Sequence, residues 1–258
     1  MKIDFHSHVK ISKQSMFHPA YFQEMMEEAK AAGLTAIAMT EHFNTIRFFD
    51  IYDYLDEHYS YMNGYYSVEG MQLFPGMEVD VQEGGHILLI GSREEILHVR
   101  HQLTGHLESS HFIGFDRLME LARASDLFTI GAHPYRESTP LAKHVSMKQL
   151  KQLDALDLNG KDLYKKGVIT CQKELEQLAK ETGLPIVGGS DTHQFIQYGS
   201  IMNQFDQTYL NHDQLREAVQ NRKHRVQVSD DVSLKVRSAT LIKKYMKKYL
   251  QQKQEHVV

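Results

Sequence analysis

The chain has 258 residues, 41% hydrophobic and 24% charged, enough to bury one large core in an ordinary globular domain. Its net charge of -4 argues against general nucleic-acid binding, and a single cysteine, Cys171, excludes an internal disulfide and favours a cytoplasmic protein. No apolar run approaches membrane-span length, and the charged N-terminus lacks a signal-peptide core.

Residues 2–5 set Ile3 and Phe5 against Asp4, as in a short strand, and lead into His6-Ser7-His8. Side chains two apart on a strand share a face, so Asp4, His6 and His8 point one way. Pro19 opens and Gly33 closes an amphipathic helix in which Phe22, Met25, Met26 and Ala29 recur at helical spacing. A strand over 35–40 ends at Glu41-His42, and a helix rich in Tyr and Phe is predicted over 47–62. Residues 71–81 read as a strand broken at Pro75-Gly76 and carrying Glu78; 86–91 read as a strand that begins on His86. Helices over 93–103 and 115–124 precede a strand over 127–131 that exits into His133-Pro134-Tyr135-Arg136. A helix over 146–153, a strand over 155–158, a long helix over 162–182 and a strand over 185–189 follow, the last ending in Ser190-Asp191-Thr192-His193.

This alternation of helices with near-continuous apolar strands predicts a parallel sheet covered by helices, most simply an α/β barrel over residues 1–204. Residues 205–258 differ, with a helix around Leu215, Ala218 and Val219, a short strand over 225–228 and a basic helix over 233–252. That helix carries Lys235, Arg237, Lys243, Lys244, Lys247 and Lys248. It is expected to pack on the barrel with a solvated lysine face, the alternative being a membrane surface or a partner.

In parallel α/β folds, residues just past the strands converge on one mouth. Here these are His6, His8, His42, Glu78, His133, Asp191 and His193, and a short connection from Glu78 brings His86 to the same rim. A set of imidazoles and carboxylates without a thiolate suits Zn, Mn or Fe ions, and Glu78 can bridge two of them. One such histidine alone is more often a satisfied polar residue; the recurrence at strand ends makes the case. His101, His106 and His111 are alternatives to His86, though their polar, helix-like surroundings favour the surface, and the other histidines, His256 among them, are expected to have no functional role. Arg136, three residues beyond His133, has the planar fork that suits a phosphate.

The motifs His6-x-His8, Thr40-Glu41-His42, Gly76-Met77-Glu78, Gly131-Ala132-His133-Pro134 and Gly188-Gly189-Ser190-Asp191-Thr192-His193 together resemble the PHP (polymerase and histidinol phosphatase) family, over residues 1 to about 200. The resemblance implies a distorted seven-stranded TIM-like barrel with a C-terminal helical extension, and two or three divalent ions. It places a first ion on His6, His8, Glu78 and Asp191, and a second on Glu78, His86 and His133. His42 and His193 would hold a third, where the family usually adds an Asp or His from the loop after the first strand. This chain has Lys13 there, and Glu41 where the family usually has Asp. Lys13 weakens the third site, faces substrate phosphate or, the least favoured alternative, is modified into a ligand.

The expected activity is hydrolysis of small phosphomonoesters, histidinol-phosphatase-like, by metal-activated hydroxide attacking phosphorus. Arg136 would bind the phosphoryl group, and Asp191 or His193 would pass a proton to the leaving oxygen. Rival readings are an amidohydrolase or lactonase and a non-catalytic accessory module.

Overall fold

The structure is a computed structural model and describes residues 1–255, with side chains through 249; His256 and the side chains at the end of the basic helix lie outside the described residues. The chain runs β1 (Lys2–Ser7), α1 (Pro19–Ala31), β2 (Ala36–Met39), α2 (Phe49–His58), β3 (Tyr61–Met62), β4 (Tyr65–Val68), β5 (Met71–Val81), β6 (Gly85–Ile90), α3 (Arg93–Gln102) and α4 (Phe115–Ala124). It continues through β7 (Phe128–Ala132), the short helices α5 (Leu141–His144) and α6 (Met147–Leu150), β8 (Ala155–Asn159), α7 (Gly160–Lys166), α8 (Val168–Thr182) and β9 (Ile186–Gly189). The C-terminal part adds β10 (Ile201–Phe205), α9 (His212–Gln220), β11 (His224–Val228) and α10 (Val232–Glu255).

The strands form one sheet whose main path is β11-β10-β1-β2-β5-β6-β7-β8-β9, with the β3–β4 hairpin attached to β5. The far end of this path curls back on β1. Ser7 and Thr192 form a parallel bridge, His8 N–H donates to the Thr192 carbonyl at 2.9 Å, and Asp191 N–H to that of His6 at 2.8 Å. The result is a nearly closed, barrel-like α/β sheet whose path runs through nine strands, two of which, β10 and β11, lie beyond β1.

Both faces of the sheet are apolar. Along β6, Leu88 and Ile90 join Phe5, Phe74, Ile130 and Val187 in one core, while Ile87 and Leu89 join the helix residues Phe22, Met25, Leu118 and Leu175 in the other.

The expectation of a parallel sheet is corrected at β6, which runs antiparallel to both β5 and β7. The link 82–84 is too short for a crossover and permits only a hairpin. β5 is continuous through Pro75-Gly76, which mark the point where it passes from β2 to β6 as partner. The helix predicted over 47–62 ends at His58, and the chain turns through Asn63-Gly64, both with positive φ, into the β3–β4 hairpin. The long helix predicted over 162–182 is two helices parted at Gly167, whose φ of 90° suits glycine. α10 turns Val232, Val236 and Ala239 into the protein.

Candidate metal centre

All eight residues singled out above meet at one rim of the sheet, in four overlapping groups whose ligand atoms lie within 4.8 Å of one another. The groups are His8, His42 and His193; His6, His8 and Glu78; His6, His133 and Asp191; and Glu78, His86 and His133. Each arrives from a strand end: His6 and His8 from β1, His42 just past β2, His133 past β7, Asp191 and His193 past β9. The antiparallel turn of β6 accounts for His86, because its register sets His86 opposite Asp80 on β5 and Ala132 on β7. A residue at the start of an antiparallel strand thus shares the rim with residues at the ends of its neighbours.

Glu78 lies at the middle. Its Oε1 is 2.5 Å from His86 Nδ1, 3.1 Å from His133 Nε2 and 3.5 Å from His6 Nε2, and its Oε2 is 2.8 Å from His42 Nδ1 and 3.5 Å from His8 Nε2. Asp191 Oδ1 lies opposite, 3.3 Å from His8 Nε2, 3.9 Å from His6 Nε2 and 4.0 Å from His193 Nδ1. His133 and Asp191 have φ of 32° and 55°, an uncommon backbone state that recurs where side chains must be aimed at a site.

Electrostatics follow this packing. Burial works to raise the Glu78 carboxyl, but His86, His42 and His6 outweigh it and hold Glu78 well below the usual carboxylate range. Burial opposes ionisation of Asp191 too, and Lys161 and Arg136 overcome it in the same sense. Desolvation lowers His133 and His193 well below the ordinary imidazole value and takes His42 to about 4. These imidazoles are therefore neutral, as ligands must be. Burial opposes the charge on His86 as well, but Glu78 and Asp80 raise it to about 9.

The donor set fits divalent cations. Buried polar atoms almost always find hydrogen-bond partners, yet His6 Nε2 and both ring nitrogens of His8 make none and face carboxylate oxygens 3.3–3.9 Å away. Against the effect of burial, the surrounding carboxylates raise the His6 and His8 imidazoles, and a divalent ion would take the place of the proton they favour.

Several residues outside the expected ligand set support the cluster. Asp157 Oδ2 receives His6 Nδ1 at 3.0 Å and the His133 backbone N–H at 3.3 Å. Glu41 accepts the backbone N–H groups of Val9, Lys10 and His42. Asp80, two residues beyond Glu78 on the same face of β5, bonds His86 Nε2 at 2.9 Å and Lys13 Nζ at 2.8 Å. Period-two spacing was the available signal for Asp80 and Asp157, the latter lying two residues before Asn159.

Lys13 therefore has its charge matched by Asp80. Arg136 is 9% exposed, and its fork is committed to Asp191 Oδ2 at 2.7 Å, Asp162 Oδ1 at 3.1 Å and Asn159 Oδ1 at 2.7 Å. In this arrangement it fixes Asp191. His101 is stacked on Phe49, and His106 bonds the His111 carbonyl; among the described residues none of these three histidines joins the cluster.

α10 crosses the rim beside the cluster. Lys235 Nζ bonds the Tyr198 carbonyl at 2.9 Å, and Lys243 faces a cleft floored by Asp191 and His193. The lysine face expected to be wholly solvated is thus partly turned inward. Desolvation first, and Lys161 next, push Lys243 down to about 7. Among the described residues no helix is long and apolar enough to cross a membrane.

No curated protein matches the chain. Its fold is similar to that of PsfC from Pseudomonas syringae PB-5123, with a TM-score of 0.78 at 19% identity over 95% of this chain and 98% of that one. It is also similar to the lesion-specific endonuclease PfuEndoQ from Pyrococcus furiosus, at a TM-score of 0.64 and 18% identity over 88% of this chain and 58% of that one. An endonuclease Q in complex with a 27-mer duplex carrying an abasic lesion gives 0.65 and 19% over 85% and 56%, so the chain spans little more than half of these endonucleases. The family described as PHP domain matches residues 4–156, and the one described as PHP-associated matches residues 173–224. On the strength of the first match, which takes in more than half of its length, the chain belongs to the PHP family.

Proposed function

We propose that the protein is a metal-dependent phosphoesterase acting on small phosphomonoesters. The observation that supports this reading best is Glu78, a buried carboxylate ringed by His6, His8, His42, His86 and His133, with Asp191 and His193 alongside. In this reading His6, His8, Glu78 and Asp191 hold one ion, and Glu78 shares a second with His86 and His133. His42 and His193, beside His8, offer a third place. When bound, such ions supply Lewis acidity toward water and toward phosphoryl oxygens.

The chain's own residues supply orientation and proton handling. Asp157 keeps the His6 proton on Nδ1 and turns Nε2 toward the cluster. Arg136 holds one oxygen of Asp191 and leaves the other toward His6 and His8. His193, left neutral by burial and standing beside Asp191, is placed to hold a proton at Nδ1 on its way to the leaving oxygen. α10 narrows the approach to the rim, which favours a small substrate over a long polymer.

The test is a substrate panel on chelator-stripped protein reloaded with Mn or Zn. Turnover of p-nitrophenyl phosphate or small phosphomonoesters supports the reading, and Glu78→Gln should then lower kcat by about 100-fold or more, beyond the cost of losing an outer partner. Turnover confined to lactones or amides, cleavage only of duplex DNA with an abasic lesion, or retained metal with no turnover would each overturn it.

A further inference from the structure

Two lysines stand at the mouth of the cluster without a carboxylate of their own. Lys161 lies in the first turn of α7, directly after the end of β8, and its Nζ is 3.8 Å from Asp191 Oδ2. That oxygen is already engaged by Arg136 at 2.7 Å. Lys243 reaches the same cleft from α10, beside Gln194, Thr240 and His193. It is half-buried, and its side chain makes no hydrogen bond or ion pair among the described residues. The site's other cations are spent within the protein, Arg136 on Asp191, Asp162 and Asn159, and Lys13 on Asp80. Two amines from different elements thus share one polar cleft with no counter-charge to spare, so a ligand that brings negative charge is what holds both as ammonium groups.

We propose that Lys161 and Lys243 form an anion subsite beside the metal cluster, selecting phosphomonoesters that carry a second negative group, a carboxylate or a second phosphate, near the ester. The choice of a phosphomonoester rests on the function proposed above; the subsite requires only an anion. Lys161 comes from α7 and Lys243 from α10, so an anion between them is held from two elements, and the second N–H of the Gln194 side-chain amide, whose first donates to Met246 Sδ, can add a hydrogen bond. A substrate with an amine in that place is repelled, because its ammonium replaces the missing anion with a third positive charge. The cleft therefore discriminates against amino-alcohol esters such as histidinol phosphate and favours acidic ones.

The experiment compares 2-phosphoglycolate, phosphoethanolamine and p-nitrophenyl phosphate as substrates of the Mn-loaded full chain and of Lys161→Met, Lys243→Met and Lys243→Glu. The ratio of kcat/KM for phosphoglycolate to that for phosphoethanolamine should exceed about tenfold and drop by about tenfold in each Met variant, the size expected for a charged hydrogen bond. Lys243→Glu should drive it further toward phosphoethanolamine. A ratio near one, or one that no variant with a wild-type unfolding transition alters, overturns the subsite.

Binding reads the same subsite without turnover. Calorimetry with phosphonoacetate, methylenediphosphonate and 2-aminoethylphosphonate, whose C–P bonds a phosphoesterase leaves intact, should rank the aminated compound weakest and show the advantage of the others lost in Lys243→Met. The order of the first two tells carboxylate from second phosphate. If no phosphoester is cleaved but this ranking holds, the phosphoesterase reading falls and the subsite stands; equal binding of all three removes the subsite.

Discussion

Asp157 shows how a residue beside a metal centre can set its chemistry. Buried at 2% exposure, it holds His6 through Nδ1 and the His133 backbone through its N–H, so one carboxylate orients two candidate ligands. Asp157→Asn should weaken metal affinity by about 10–100-fold through the wrong His6 tautomer and a looser ring. Competition against a chromophoric chelator measures this, and an unchanged affinity in a folded variant would remove His6 from the metal set. Cys171 illustrates an inert residue near the site. Burial first, and Asp162 next, push its thiol up to about 11, and its Sγ–H donates to the Asp162 carbonyl at 3.2 Å. Because the thiolate is the reactive form, Cys171 should react with a disulfide reagent only after unfolding. Prompt labelling of the native protein would contradict the packing of α7 on α8.

At the level of elements, the approach of β9 to β1 controls the site. A Cβ added at Gly189 would lie 2.3 Å from His6 Cβ and 2.6 Å from Asp157 Oδ1, so the close contact of the two strand ends demands glycine. Gly189→Ala should cost about 1–3 kcal/mol, as overpacking does, and loosen metal binding in the same variant. Urea unfolding gives the first quantity and metal titration the second. Lost stability with intact affinity would show that β9 can shift without moving the ligands. The β5–β6 hairpin has a comparable role on the other side, since its register holds His86 against Glu78 and Asp80.

For the whole molecule, the cluster draws on β1, β5 and β6 and on the segments after β2, β7 and β9, so bound ions would tie distant parts of the sheet together. An ion that binds the folded state alone, present at about 100 times its Kd, adds about 2.7 kcal/mol. For a chain of this size that corresponds to a rise in Tm of about 5–10 °C. Calorimetry before and after chelator treatment, with Mn, Zn and Fe added back, reads the shift; no shift with any of them would count against the centre. The C-terminal part should unfold in the same transition, because β11 pairs with β10 and β10 with β1.

The candidate ligands were legible in the sequence because imidazole and carboxylate side chains at strand ends have few uses besides meeting at a shared rim, and His6-x-His8, Glu78 and Asp191-x-His193 keep their spacing whatever the tertiary arrangement. Strand and helix positions were legible where apolar periodicity is strong, as in α1 with Phe22, Met25 and Met26. Strand direction was not: the apolar run of β6 reads the same both ways, and only the three-residue link before it makes the strand antiparallel. The commitment of Arg136, the pairing of Lys13 with Asp80 and the inward turn of Lys243 lay outside the sequence for a common reason. Each is a charge whose partner, or lack of one, is set by residues far away in the chain, and a single sequence records which charges exist but not which of them folding brings face to face.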